Sequence, residues 1–134
     1  MILLKLIKCR TIFRGKSTGK ALVSNTSLSF FGGVDPNTGI IIDRNHPLFN
    51  KSIKDKVLIF TTGKGSTVGS YILLQLAKNK KAPVAIVCKE AEPIVAVGAI
   101  IAEIPMLDKP EIFDFKDNQK ITVDGFNSAI IIED

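Results

Sequence analysis

The amino-acid sequence predicts an α/β fold: one β-rich domain over residues 1–134, with about eight short strands and two main helices. Short apolar runs bounded by turn residues recur along the chain, as buried strands do. In the second half, two of these runs pass directly into helical spacing, which makes two β–α units. With 46% hydrophobic residues in 134, the chain has enough apolar surface for a core without disulfide or metal staples.

Residues 2–14 read as a first strand, because the opening alternates apolar and charged side chains. Charges inside that apolar stretch, and the lack of a small-residue cleavage site, separate it from a signal peptide; a cytoplasmic location is the expectation. Arg14 to Gly19 is a turn cluster, and residues 20–24 are a second strand. Ser29-Phe30-Phe31-Gly32-Gly33-Val34-Asp35-Pro36 carries two glycines and a pre-proline aspartate, which call for an irregular loop. It is either structural or the wall of a ligand site, with Gly33 and Asp35 as candidate contacts, and its two phenylalanines also suit a subunit interface. Residues 39–43 are a buried strand, followed by an extended turn from Arg44 to Phe49. His46, the only histidine, has no cysteine nearby and reads as a hydrogen-bonding structural residue.

The centre of the chain is Val57-Leu58-Ile59-Phe60-Thr61-Thr62-Gly63-Lys64-Gly65-Ser66-Thr67-Val68-Gly69-Ser70-Tyr71. It reads as strand, tight glycine turn and helix. Val68, Ile72, Leu73 and Leu76 share one helical face, and Lys78 to Lys81 with Pro83 end the helix. Ser66 then lies at or beside a helix N-terminus, at the carboxyl end of a strand. One reading makes it a helix cap. The other makes it an anion site or an activated hydroxyl, its anion held by free N–H groups with Lys64 nearby. The spacing is not that of a P-loop, since Lys64 lies between the glycines and no hydroxyl residue follows it. Nor is it a dinucleotide fingerprint, since Gly69 falls one place late.

Residues 83–88 are another buried strand. Glu90 and Glu92 then open a second helix with Pro93 at its first position. Ile94, Val97, Ala99, Ile100 and Ile101 make it apolar nearly all round, which predicts deep burial. Ile104-Pro105 ends it. Residues 106–107 are a short strand, 112–113 a poorer one, and 119–124 and 129–132 close the fold.

Several function classes are disfavoured. No apolar run approaches a membrane span. Cys9 and Cys88 are far apart, form no C-x-x-C, and with one histidine complete no metal set, so each reads as a buried small hydrophobe. The net charge of +5 comes from scattered lysines and arginines without interleaved aromatics, which disfavours nucleic acid and leaves a solvated surface or an anionic small-molecule substrate. The carboxylates offer no acid/base pair.

Four stretches taken together resemble a known family: residues 29–36 with Thr38-Gly39; Asp43 with His46-Pro47-Leu48; Gly63-Lys64-Gly65-Ser66-Thr67-Val68-Gly69-Ser70; and Val97-Gly98-Ala99-Ile100-Ile101-Ala102-Glu103-Ile104-Pro105. In order and spacing they are similar to the small, swivel-domain subunit of aconitase X-type proteins, over nearly the whole chain. The resemblance implies a swivelling β/β/α fold. It implies a heterodimer whose large subunit holds a 4Fe–4S cluster on cysteines, with no metal on this chain, which alone would be inactive. The implied reaction is loss of water from (R)-5-phosphomevalonate to give trans-anhydromevalonate 5-phosphate, within an archaeal mevalonate route to isoprenoids. By similarity to aconitases, whose swivel domain supplies a serine base, Ser66 is the implied proton acceptor, with Gly63, Lys64, Gly65 and Thr67 as substrate contacts beside Gly33 and Asp35. The alternatives are the swivel domain of another hydroxy-acid dehydratase of the superfamily and a non-catalytic anion-binding or regulatory module.

Overall fold

The computed structural model describes residues 3–133. Its strands are β1 (Leu4–Lys8), β2 (Arg10–Phe13), β3 (Lys16–Val23), β4 (Val57–Phe60), β5 (Ala85–Cys88), β6 (Met106–Asp108), β7 (Lys120–Asp124) and β8 (Ala129–Glu133). The helices are α1 (Gly69–Lys78), after β4, and α2 (Pro93–Ala102), after β5. The strands form one 8-stranded sheet in the order β1-β8-β7-β3-β4-β5-β6-β2. Its two end strands, β1 and β2, are separated in the chain by Cys9 alone, so the sheet curls back until one bent segment spans both ends. Cys9 N–H donates to the Ser128 carbonyl at 2.8 Å at this corner.

β3 belongs to both halves of the sheet. Its opening residues pair antiparallel with β7, and residues 21–23 pair parallel with β4. β4, β5 and β6 continue in parallel. Alternation along these strands makes two cores. Ile7, Val57, Ile59, Val87, Leu107, Val123 and Ile130 fill the inside of the curled sheet. Leu58, Phe60, Ile86, Cys88 and Met106 point the other way, onto Leu73 and Leu76 of α1 and Val95 and Ala99 of α2. The layers are therefore sheet, sheet and helices, the β/β/α order the resemblance implies.

Several sequence expectations are corrected. Residues 2–14 are two strands, not one, broken at Cys9; residue 2 lies outside the described residues. The expected turn at residues 14–19 is mostly strand: residues 16–19 join the β7 ladder, with Ser17 Oγ donating to the Val84 carbonyl at 2.8 Å and Thr18 Oγ1 meeting Thr122 Oγ1 at 2.8 Å. Turn-type residues form a strand here because a partner strand takes up their backbone groups. Residues 39–43 are not a strand. Ile40 and Ile41 make only isolated bridges, to Ser52 and Val34, and Ile41 is buried as part of a loop. The 112–113 segment is not a strand either.

α2 departs from the expected deep burial. Val95, Gly98 and Ala99 are buried, but Val97, Ile100 and Ile101 are 49%, 45% and 42% exposed. Gly98 sets the buried face, since a Cβ there would stand 2.5 Å from Leu73 Cδ1 and 3.1 Å from Ser70 Cα of α1. Its start is as the sequence predicts. Glu92 is the N-cap, its carboxylate accepting from Val95 N at 2.7 Å and Ile94 N at 2.9 Å, and Pro93 follows.

An ion pair between the half-exposed Arg10 and a buried carboxylate locks β2 to β6. The Asp108 side chain is fully buried and accepts from Arg10 Nε at 2.8 Å, Arg10 Nη2 at 2.7 Å and the Ala91 amide at 2.8 Å. The paired carboxylate also holds the chain entering α2. Both cysteines are free; Cys88 is buried as the sequence predicts, but Cys9, at the corner between β1 and β2, is only partly so. Burial, reinforced by the Asp108 charge, pushes the Cys9 thiol up to about 12 and the Cys88 thiol well above the ordinary thiol range.

Replacing Asp108 by Ala leaves the Ala91 amide without an acceptor, while the half-exposed guanidinium turns to water; urea unfolding is expected to show a loss of about 1–3 kcal/mol. Neither cysteine is expected to react with a thiol reagent at pH 8 in the folded chain, and both should react once it unfolds. Because both folded-state values are raised, the thiols' contribution to stability is whole below the unfolded thiol's pKa and is lost as pH rises above it.

Candidate functional site

The chain does not pass straight from β4 into α1. Residues 61–68 make a turn over the carboxyl edge of the parallel strands, where α/β sheets place ligands. Leu28 N–H donates to the Thr62 carbonyl and Lys64 N–H to the Leu28 carbonyl, both at 3.1 Å, so one neighbouring residue holds both sides of Gly63. Gly63 is buried, and a Cβ there would collide with the Glu92 carboxylate and the Val95 side chain. Gly65 has φ +97°, which L side chains rarely adopt, and a Cβ there would lie 2.5 Å from Ser29 Oγ.

Ser66 is exposed at the outer bend of this turn. Its Oγ accepts from Val68 N–H at 3.2 Å and its carbonyl accepts from Gly69 N–H at 2.9 Å. The N-cap position of α1 is Val68, which has no side-chain cap. Ser66 is therefore not the cap of α1; it closes the turn just before the helix. The backbone N–H groups of Gly65, Ser66 and Thr67 donate to no acceptor among the described residues. Consecutive free amides after a left-handed glycine, at the positive end of α1, form a concavity suited to an anion.

The other sequence candidates fall into place around this turn to different degrees. Lys64 and Thr67 are exposed on it. Thr67 also lines an apolar cavity of about 170 Å³ with Ser70, Pro93, Ile94 and Val97, between the starts of the two helices. Gly33 is buried beneath Ser29, the residue that also faces Gly65, so it supports the wall of the site from behind.

Asp35 is not brought to Ser66. Its carboxylate accepts from Asn37 N–H at 2.9 Å, and the adjoining Pro36 carbonyl accepts from Asn79 at the far end of α1. A helix of 10 residues, about 15 Å long, separates the two ends. His46 is buried and structural in its bonding, with Nδ1 accepting from Leu48 N–H at 3.0 Å and Nε2 lying 3.1 Å from the Ser27 carbonyl.

Among the described residues, no group of three or more histidine, cysteine or acidic side chains could hold a metal ion. The chain's two cysteines, the partly buried Cys9 and the buried Cys88, are too few to supply the thiolate set of an iron–sulfur cluster. Among the described residues, no helix is long and apolar enough to cross a membrane.

The family model for the aconitase X swivel domain matches residues 6–132. A phosphomevalonate dehydratase small subunit from Methanothermobacter thermautotrophicus is 54% identical over 127 residues, covering 92% of this chain and 97% of the relative. One from Thermococcus sibiricus is 55% identical over 128 residues, covering 96% and 98%. A crystal structure of Thermococcus kodakaraensis aconitase X in its holo-form superposes with a TM-score of 0.93 at 48% identity, over 96% of this chain and 98% of that one. Matched along nearly its whole length in sequence and in the path of its sheet and helices, the chain belongs to the aconitase X swivel-domain family.

Proposed function

We propose that this chain is the small subunit of a heterodimeric, cytoplasmic hydro-lyase that dehydrates (R)-5-phosphomevalonate to trans-anhydromevalonate 5-phosphate, with Ser66 as the proton acceptor. The observation that carries the reaction is the chain's 54% and 55% identity, over nearly full length, to relatives named as phosphomevalonate dehydratase small subunits. The observation that favours Ser66 is its position: an exposed hydroxyl on a glycine turn, with unused amides on either side.

The chemistry fits that position. Dehydration takes a proton from the carbon next to the carboxylate and expels the hydroxyl one carbon further on. The implied cluster belongs in this reading to the large subunit, and when bound there it supplies a Lewis acid for the departing hydroxyl. The Val68 N–H already points at Ser66 Oγ, and an alkoxide there would gain from that donor and from the positive end of α1. The amides of Gly65, Ser66 and Thr67 are free to take a substrate carboxylate, and Lys64 adds positive charge on the same turn. With its net charge of +5, the chain attracts a substrate bearing both carboxylate and phosphate.

The test is turnover of 5-phosphomevalonate by the anaerobically assembled heterodimer, as wild type and as Ser66→Ala. The variant is expected to melt within about 1 kcal/mol of wild type, since only a turn hydrogen bond is lost. Its kcat is expected to fall by about a hundredfold or more. Equal turnover would leave Ser66 as a turn former and remove it from the chemistry. No turnover by a cluster-loaded wild type would overturn the substrate assignment.

A further inference from the structure

A second concavity lies apart from the Ser66 turn, over the carboxyl ends of β4, β5 and β6. It has a volume of about 380 Å³ and is lined by Thr61, Thr62, Lys89, Glu90 and Lys109. The register of the sheet assembles it. Phe60 is paired with Cys88 and Cys88 with Asp108, so the residues that follow, Thr61, Lys89 and Lys109, form a row across three strand ends. The backbone continues the ladder: Lys89 N–H donates to the Phe60 carbonyl and Lys109 N–H to the Lys89 carbonyl, both at 3.1 Å.

Lysines on adjacent strands at matched register stand about 5 Å apart at the backbone and repel one another. Neither is paired with a carboxylate among the described residues, whose ion pairs are Arg10–Asp108 and Lys120–Glu133. Glu90 shares the rim without forming an ion pair to either lysine. The Thr61 and Thr62 hydroxyls make no hydrogen bond to protein groups among the described residues. Lys109 is held with φ +50°, an unfavourable conformation for a lysine, at this rim. The floor is rigid because the residue before Lys109 is Asp108, fixed by Arg10 and by the Ala91 amide. Two ammonium groups outside any ion pair outnumber the one carboxylate on the rim, and with two free hydroxyls and a fixed floor they suit a phosphate dianion.

We propose that Lys89 and Lys109, with Thr61 and Thr62, form a binding site for a phosphate monoester. The ester is either the phosphate end of the dehydratase substrate, in which case the inference rests on the function proposed above, or a separate phosphorylated effector. The experiment uses the assembled heterodimer as wild type, Lys89→Met and the double variant Lys89→Met/Lys109→Met, with inorganic phosphate as the probe, followed by phosphorus NMR and as an inhibitor of turnover.

Phosphate affinity is expected to fall about tenfold for each lysine removed. Both changes are at exposed side chains, and circular dichroism should show unchanged folding. If the ester is the substrate's own, phosphate competes with it and the variants raise KM with little change in kcat. If phosphate binds without competing, the site belongs to an effector. Wild type that binds no phosphate, or a double variant that binds it as well as wild type does, overturns the proposal. The NMR readout needs no turnover, so it stands or falls separately from the dehydratase assignment.

Discussion

At Gly63 the turn leaving β4 runs directly against the start of α2, and no side chain fits between them. The Glu92 carboxylate that fills this contact is the same one that caps α2 through Ile94 N–H and Val95 N–H. One acidic side chain thus satisfies orphan amides of one β–α unit and sets how closely the turn of the other can approach. The positions of Gly65, Ser66 and Thr67 follow from that approach, because Leu28 grips the chain on both sides of Gly63 and leaves the next residues to bulge outward. A side chain at Gly63 would push the turn off α2 and take Ser66 with it.

Asp108 has a matching role two strands away, on β6. Its fully buried carboxylate holds β2 through Arg10 and the approach to α2 through Ala91. A buried carboxylate is costly unless its oxygens are filled, and here three N–H groups fill them. The sheet can curl because β2 is tied to β6 at this point, while β1, one residue away in the chain, pairs with β8 at the other end. The even row of strand ends at Thr61, Lys89 and Lys109 depends on that curl being fixed.

Much of this was legible in the sequence where local chemistry decides the outcome. The apolar run before Gly63, the glycines themselves and the Glu92-Pro93 start of α2 each carry their reason within a few residues. Long-range pairing erased such signals elsewhere. Ser17, Thr18 and Gly19 look like a turn until β7, about a hundred residues later, supplies a ladder for them. Ile40 and Ile41 look like a strand but find only single bridges. Asp35 lies in the same loop as Gly33, yet that loop carries it to the far end of α1. Lys89 and Lys109 are unremarkable single lysines in sequence, and only strand register makes them neighbours. A lysine soon after each of two apolar runs was the signal that could have found them.

The exposure of Ser66 bears on how the proposed chemistry divides between two chains. A hydroxyl in water gives up its proton poorly, and the dipoles that would hold its anion are weakened by solvent. Among the described residues, nothing covers Ser66. Around it, however, Phe31, Val68 and Tyr71 are 52%, 40% and 63% exposed, and Val97 of α2 lines the apolar cavity that reaches Thr67. An apolar surround about an exposed polar turn is costly for an isolated chain and suits one whose site is covered by a second surface. Once covered, the amides of Gly65 to Thr67 act in a drier medium, where each is worth more to an anion. In this reading the turn supplies the donors and the hydroxyl, and the partner supplies the cover.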